Sequence, residues 1–239
     1  MLKLLMLKRL HRFFPRMIDN FKNYIFALNL FVNFANASAT TEVSQYEALS
    51  GVNLKDSKAE WDQKFLSRKY VFGKKPAKFL KSNAPLIPRR SKVLDLGMGE
   101  GRNAVYLATK GHKVVGIDIS SVAIEKANAL AKEFSTEIKT VVASLDRYEF
   151  RDNSFDVILS FYYVDRNLIN RMINWLRPGG LIIYEAHTTE KLKEGRLINK
   201  NYLVKPKEIL SFFPNFKLIL FEEPKDGSYR SSIIVQKPK

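Results

Sequence analysis

The stretch VLDLGMGEGRNAVYLATKGHKVVGIDIS, Val93 to Ser120, decides the architecture. An apolar run ends in Gly97, Gly99 and Gly101, a helical pattern follows, and a second apolar run ends in Asp118. Strand, tight turn, helix and strand begin a parallel α/β sheet, whose ligands bind beyond the carboxyl ends of the strands. The glycines let the backbone bend sharply and approach a ligand with no side chain in the way, and the helix start behind them favours a negative group. A dinucleotide fingerprint counted from Gly97 would need a small residue where Arg102 stands, which argues against a pyrophosphate on that helix. Asp118 lies seventeen residues past Gly101, where a carboxylate can accept both ribose hydroxyl protons. A nucleoside without a pyrophosphate is the implied ligand.

Outward from this stretch the alternation continues. Strands are expected at Lys92 to Leu96, Lys113 to Asp118, Ile138 to Val142, Phe155 to Phe161 and Leu181 to Ala186. Helices are expected at Arg102 to Lys110, Ser121 to Phe134 and Asn167 to Leu176, and Pro206 sits as the first residue of a helix through Phe213. Two closing strands, Phe216 to Phe221 and Ser231 to Lys237, face each other across EEPKDGSYR as a hairpin, which makes the last strand antiparallel. The fold class is thus α/β, a doubly wound Rossmann-like sheet, mostly parallel. An N-terminal helix begins with Asp56 or Ser57 as its cap, with Trp61, Phe65 and Leu66 at helical spacing.

The chain before that helix reads differently. MLKLLMLKRLHRFFPRM carries five basic residues and no acid, YIFALNLFVNFANASAT follows as an apolar stretch, and Ala37-Ser38-Ala39 precedes a polar linker. Basic, then apolar, then small is the order of a secretory signal, and Met17 would serve as an alternative start. The apolar part is interrupted by Asn29, Asn33 and Asn36 and falls short of the roughly 20 residues of a membrane span. The expected organisation is a targeting segment at 1–39, signal peptide-like or an anchor, a linker at 40–55 and a catalytic domain at 56–239. Export or membrane association follows from the pattern, with a cytoplasmic protein as the alternative.

Of the 239 residues 46% are apolar, enough for one well-buried domain. Lysine and arginine outnumber the acids 40 to 24, for a net charge of +16, which raises nucleic acid, membrane surface and acidic metabolites as partners. The absence of cysteine excludes disulfides, a thiolate metal site and a cysteine nucleophile.

Asp95-Leu96-Gly97-Met98-Gly99-Glu100-Gly101 resembles the first motif of the class I S-adenosylmethionine-dependent methyltransferases, Asp118 their second, and SFDVILSFYYVDR with LRPGGLIIYEAHT their fourth and fifth strands. Within the class, GEGRNAVYLATKGHKVVGIDIS, YVFGKKP and NYLVKPKEILSFF are similar to the tellurite-resistance-type small-molecule methyltransferases. The resemblance implies a seven-stranded sheet, S-adenosylmethionine on the glycine loop with Asp95, and Asp118 on the ribose. It also implies a substrate covered by the N-terminal helix and the segment after strand five, and gives Arg102 and Asn103 a ligand-site role. Where the family offers an acidic residue to adenine, this chain has Ser144, with Asp146 two residues on.

The sulfonium of such a cofactor already makes its methyl group electrophilic, so the protein need mainly align the reactants and exclude water. Tyr162 and Tyr163, after the fourth strand, are candidates to shape the pocket around the sulfonium, and Arg166 to hold an anionic substrate; packing and a solvated helix start are the competing readings. His187, after the fifth strand, is a candidate base or anion contact, against a polar loop residue. With SFYY where amino-methylating nucleic-acid enzymes carry a proline pair, and little aromatic interleaving in GRLINKNYLVKPK, a small anionic or soft nucleophilic acceptor is favoured over nucleic acid. A cofactor-binding module without turnover and a nicotinamide-dependent oxidoreductase are the alternatives.

Overall fold

The computed structural model describes residues 54–194 and 199–239. The expected targeting segment at 1–39 and most of the linker at 40–55 lie outside the described residues. Among the described residues no helix is long and apolar enough to cross a membrane.

Residues Lys58–Lys239 form one compact unit. In chain order the helices and strands of the described residues are α1 (Leu54–Phe65), α2 (Lys78–Asn83), β1 (Lys92–Leu96), α3 (Arg102–Thr109), β2 (Lys113–Asp118), α4 (Ser121–Glu133), β3 (Lys139–Val142), β4 (Phe155–Phe161), α5 (Ile169–Trp175), β5 (Leu176–Thr188), β6 (Leu203–Val204), β7 (Lys217–Glu222) and β8 (Arg230–Gln236). The sheet runs β3-β2-β1-β4-β5-β8-β7, with the short β6 beside the end of β5. All pairings are parallel except those of β8, which is antiparallel to β5 and to β7.

Alternation along the strands builds the two faces. Leu94, Leu96, Ile158, Ile182 and Tyr184 pack with Met172 and Trp175 of α5 and with Ile209 and Phe213. On the opposite face Val93, Val157, Leu159, Leu181 and Ile183 pack with Leu80, Leu107, Ile124 and Ala127 of α2, α3 and α4. Helices on both faces explain why the central strands read as unbroken apolar runs. Ser120 caps α4, its Oγ accepting from the Ala123 N–H at 3.1 Å.

Some local expectations need correction. The sheet has an eighth strand, β6, whose two residues are too few to show a period. No α-helix starts at Pro206: Lys207 takes φ 63°, a left-handed conformation that breaks the turn, and a 3-10 segment spans only Glu208–Phe212. The N-terminal helix begins at Leu54, ahead of the expected cap at Asp56 or Ser57.

Candidate functional site

The site lies at the carboxyl ends of β1 and β2. Gly97, Gly99 and Gly101 take φ values of 59°, 54° and 81°, so the turn after β1 is left-handed at every second residue. Position 101 is doubly restricted, because a Cβ there would stand 2.7 Å from the Ala127 Cβ; this close approach seats α3 against α4. At Gly97 the open side of the backbone is covered by the Tyr163 ring, 2.9 Å from where a Cβ would be.

Asp118 is 8% exposed at the end of β2. Its Oδ2 accepts from the Gly99 N–H at 2.8 Å and its Oδ1 from the Ser120 N–H at 2.9 Å. Each oxygen keeps lone-pair capacity for a further donor such as a ribose hydroxyl. Burial raises its pKa. Asp95, 1% exposed within β1, has an Oδ2 with no hydrogen-bond partner. Burial pushes its carboxyl up to about 7, against the pull of Arg102 and a bond from the Ala104 N–H. A buried orphaned carboxylate oxygen beside an open glycine turn fits a ligand carrying an ammonium group.

A second cluster stands at the ends of β4, β5 and β8. Tyr162 has φ 61°, costly for an aromatic residue, and is held there by its N–H to the Glu185 carbonyl at 2.7 Å and its hydroxyl to Glu185 Oε1 at 2.5 Å. Glu185 is 1% exposed; its Oε2 accepts from Ser232 Oγ at 2.9 Å and lies 4.0 Å from Arg230 Nη1. The His187 ring lies against Tyr162 with centroids 4.6 Å apart, and the Arg102 guanidinium is 5.7 Å from the same ring. Burial, then the Glu185 charge, raises the Tyr162 pKa, so its phenol stays protonated. Beside this cluster a cavity of about 450 Å³ is lined by Thr188, Glu190, Glu223, Lys225, Tyr229 and Arg230. Thr188 Oγ1 and Arg230 Nε are buried there without hydrogen-bond partners.

The structure therefore brings together Asp95, Gly97, Gly99, Gly101, Asp118 and the Tyr163 ring, and separately Tyr162 and His187. Other candidates have partners within the protein. Arg166 is bidentate to Glu208, at 2.7 and 3.0 Å, and bonds the Leu203 carbonyl at 3.1 Å, which ties β6 down. Arg102 Nη1 reaches the Phe72 carbonyl at 3.3 Å, and Asn103 Oδ1 accepts from the Ala77 N–H at 2.9 Å, so both grip the 72–77 segment. Ser144 Oγ donates to Asp146, one polar pair after β3. Sequence reasoning missed Glu185 and Arg230. A glutamate inside the apolar run LIIYEAHT was the available signal for the first, since a buried carboxylate needs partners.

Residues 93–180 match the family model described as a methyltransferase domain. The chain is 32% identical over 115 residues to the tRNA 5-carboxymethoxyuridine methyltransferase of Escherichia coli K12, covering 44% of each chain. It is 37% identical over 98 residues to phosphoethanolamine N-methyltransferase 3 of Arabidopsis thaliana, covering 38% of this chain and 20% of that protein. Less than half the length of each of these relatives is therefore spanned. Among solved structures, a SAM-dependent methyltransferase of Methanosarcina mazei superposes with TM-score 0.53 and 19% identity, covering 69% of this chain and 99% of that one. TehB of Haemophilus influenzae superposes with TM-score 0.55 and 18% identity, covering 66% and 61%. The chain carries a methyltransferase domain with the class I Rossmann-like fold, and S-adenosylmethionine is the cofactor that this domain class implies.

Proposed function

We propose that the chain is an S-adenosylmethionine-dependent methyltransferase acting on a small acceptor with an anionic group or a soft nucleophile. The observation that carries the reading is the convergence of an open glycine turn, the Asp118 carboxylate and the orphaned Asp95 oxygen on one edge of the sheet. Asp118 would hold the ribose and Asp95 the ammonium of the methionyl part, while Ser144 and Asp146 stand beyond β3 for the adenine. When bound, the cofactor supplies an electrophilic methyl group.

What this chain's residues contribute is orientation and exclusion of water. Tyr162 is locked between the glycine-loop side, through Arg102, and the acceptor side, through Glu185 and His187. A phenol hydrogen-bonded to a buried carboxylate presents its remaining lone pairs toward an acceptor group, and His187 stands beside it as a proton acceptor. Arg230 Nε and Thr188 Oγ1, without hydrogen-bond partners beside the neighbouring cavity, offer donors to a polar acceptor.

The named substrates of the relatives span a tRNA and a small phosphorylated amine. The modest cavity beside the cluster supports a small acceptor over RNA. The test is incubation of the protein with methyl-tritiated S-adenosylmethionine and either total RNA or the small-molecule fraction of its own cells. Label in the small-molecule fraction alone is expected; label in RNA alone would overturn the acceptor reading. The basic, apolar and small-residue order of residues 1–39 supports targeting to or across a membrane. Fractionation and sequencing of the mature N-terminus test this, and a full-length soluble cytosolic protein would refute it.

A further inference from the structure

We propose that Lys126 is a positioning residue that latches residues 58–77 over the cofactor site and so governs how fast the cofactor enters and leaves. This rests on the reading that the glycine loop and Asp118 hold S-adenosylmethionine. The segment between α1 and α2 has almost no regular structure, so its backbone carbonyls need donors from elsewhere. One side chain supplies three of them: Lys126 Nζ, on α4, donates to the carbonyls of Phe65 at 3.1 Å, Ser67 at 2.9 Å and Lys69 at 3.0 Å. The same ammonium pairs with the Glu100 carboxylate of the glycine loop; the two side chains are 17% and 2% exposed.

The contacts around this ion pair all join the same two parts. Tyr70 donates its hydroxyl to the Lys126 carbonyl at 3.0 Å, and Glu100 Oε2 accepts from the Phe72 N–H at 3.3 Å. Arg102 and Asn103 bond Phe72 and Ala77, so the Glu100, Arg102 and Asn103 side chains of the glycine-loop run all clasp the strap. Toward the ribose end, Asp62 of α1 accepts from Ser120 Oγ at 2.6 Å, two residues past Asp118. Over the loop itself Phe65, 2% exposed, brings its Cζ within 3.5 Å of where a Gly99 Cβ would stand. A ligand lying from Gly99 to Asp118 is therefore roofed by Asp62 to Phe65. To pass, it must lift that roof, and lifting it strips Lys126 of three carbonyls and Glu100 of the Phe72 N–H.

A gate that is closed before the ligand arrives slows entry as well as exit, so opening it accelerates both and changes affinity less than either rate. A residue that merely supports the bound ligand would alter the exit rate alone. Stopped-flow mixing of full-length protein with S-adenosylhomocysteine, followed by Trp61 fluorescence, measures both rates, since Trp61 stacks on Phe65 with centroids 5.6 Å apart. For Lys126→Met we expect association and dissociation each to rise by about tenfold or more, the scale set by losing one charge-assisted hydrogen bond. Trypsin should then cut at Arg68 and Lys69 even with S-adenosylhomocysteine bound. Lys126→Arg, which keeps the charge and the Glu100 pair, should fall between the two and guards against a misfolded methionine variant. Binding by the parent with an unchanged association rate in both variants would overturn the latch. No binding by the parent would instead overturn the cofactor reading itself.

Discussion

Replacing Gly101 by alanine probes the turn that seats the whole site. Two separate costs are readable. At φ 81° an L side chain is in the left-handed region, worth about 1–2 kcal/mol. The new methyl would also meet the Ala127 Cβ at 2.7 Å and its Cα at 3.1 Å, within a helix pair that cannot part freely, an overpacking of about 1–3 kcal/mol. Gly101→Ala should therefore lower stability by about 2–5 kcal/mol in urea denaturation. Ala127→Gly alone should cost about 1–2 kcal/mol, from helix propensity and one lost buried methyl. The double variant relieves the 2.7 Å clash while the 3.1 Å contact with the Cα of residue 127 and the strain remain, so it should be at least about 1 kcal/mol more stable than the sum of the singles predicts. Additivity within about 0.5 kcal/mol would refute the claim that α3 and α4 meet at this glycine.

Further expectations concern the charged groups. With its pKa pushed up to about 7, Asp95 is protonated in the ligand-free protein below that pH, and a bound ammonium favours the carboxylate. Binding of S-adenosylhomocysteine should then release a proton, with affinity falling by up to about tenfold per pH unit below 7 and level above it; calorimetry at pH 6 in buffers of different ionisation enthalpy checks this, and zero proton release would contradict it. Tyr162→Phe removes the hydroxyl bonded to buried Glu185 and should cost about 1–3 kcal/mol in urea, whereas a neutral effect would mean Glu185 does not depend on it. Arg166→Ala loses a partly exposed ion pair to Glu208 and a bond to the Leu203 carbonyl and should cost about 1–2 kcal/mol with cofactor affinity unchanged; a tenfold weaker affinity would return Arg166 to the site.

Sequence patterning showed the sheet wherever a long-range fold obeys a local period. The runs ending at Gly97 and Asp118 sit on β1 and β2, and the antiparallel β8 follows from the closing hairpin. Pro206 misled because a favourable first-turn residue carries no information on the φ of Lys207. Arg102 and Asn103 looked like ligand residues because they stand in the glycine run, yet their partners lie about 25 to 30 residues upstream, a pairing no local pattern contains. Whether Arg102 stands at the small position of a dinucleotide fingerprint depends on register. Counted from Gly99 the run reads G-E-G-R-N-A, with buried Ala104 at the small position, so the methyltransferase domain match decides where spacing does not. Glu185 and Arg230 meet only because β8 returns beside β5.

The central claim is that the glycine turn and Asp118 hold S-adenosylmethionine through its nucleoside. Calorimetric titration of the full chain and of Asp118→Ala with S-adenosylhomocysteine tests it most directly, with circular dichroism confirming that the variant is folded. The parent should bind one equivalent, and the variant, lacking a charged acceptor for two ribose hydroxyls, should bind at least about tenfold more weakly. Equal affinity in a folded Asp118→Ala variant would contradict the account.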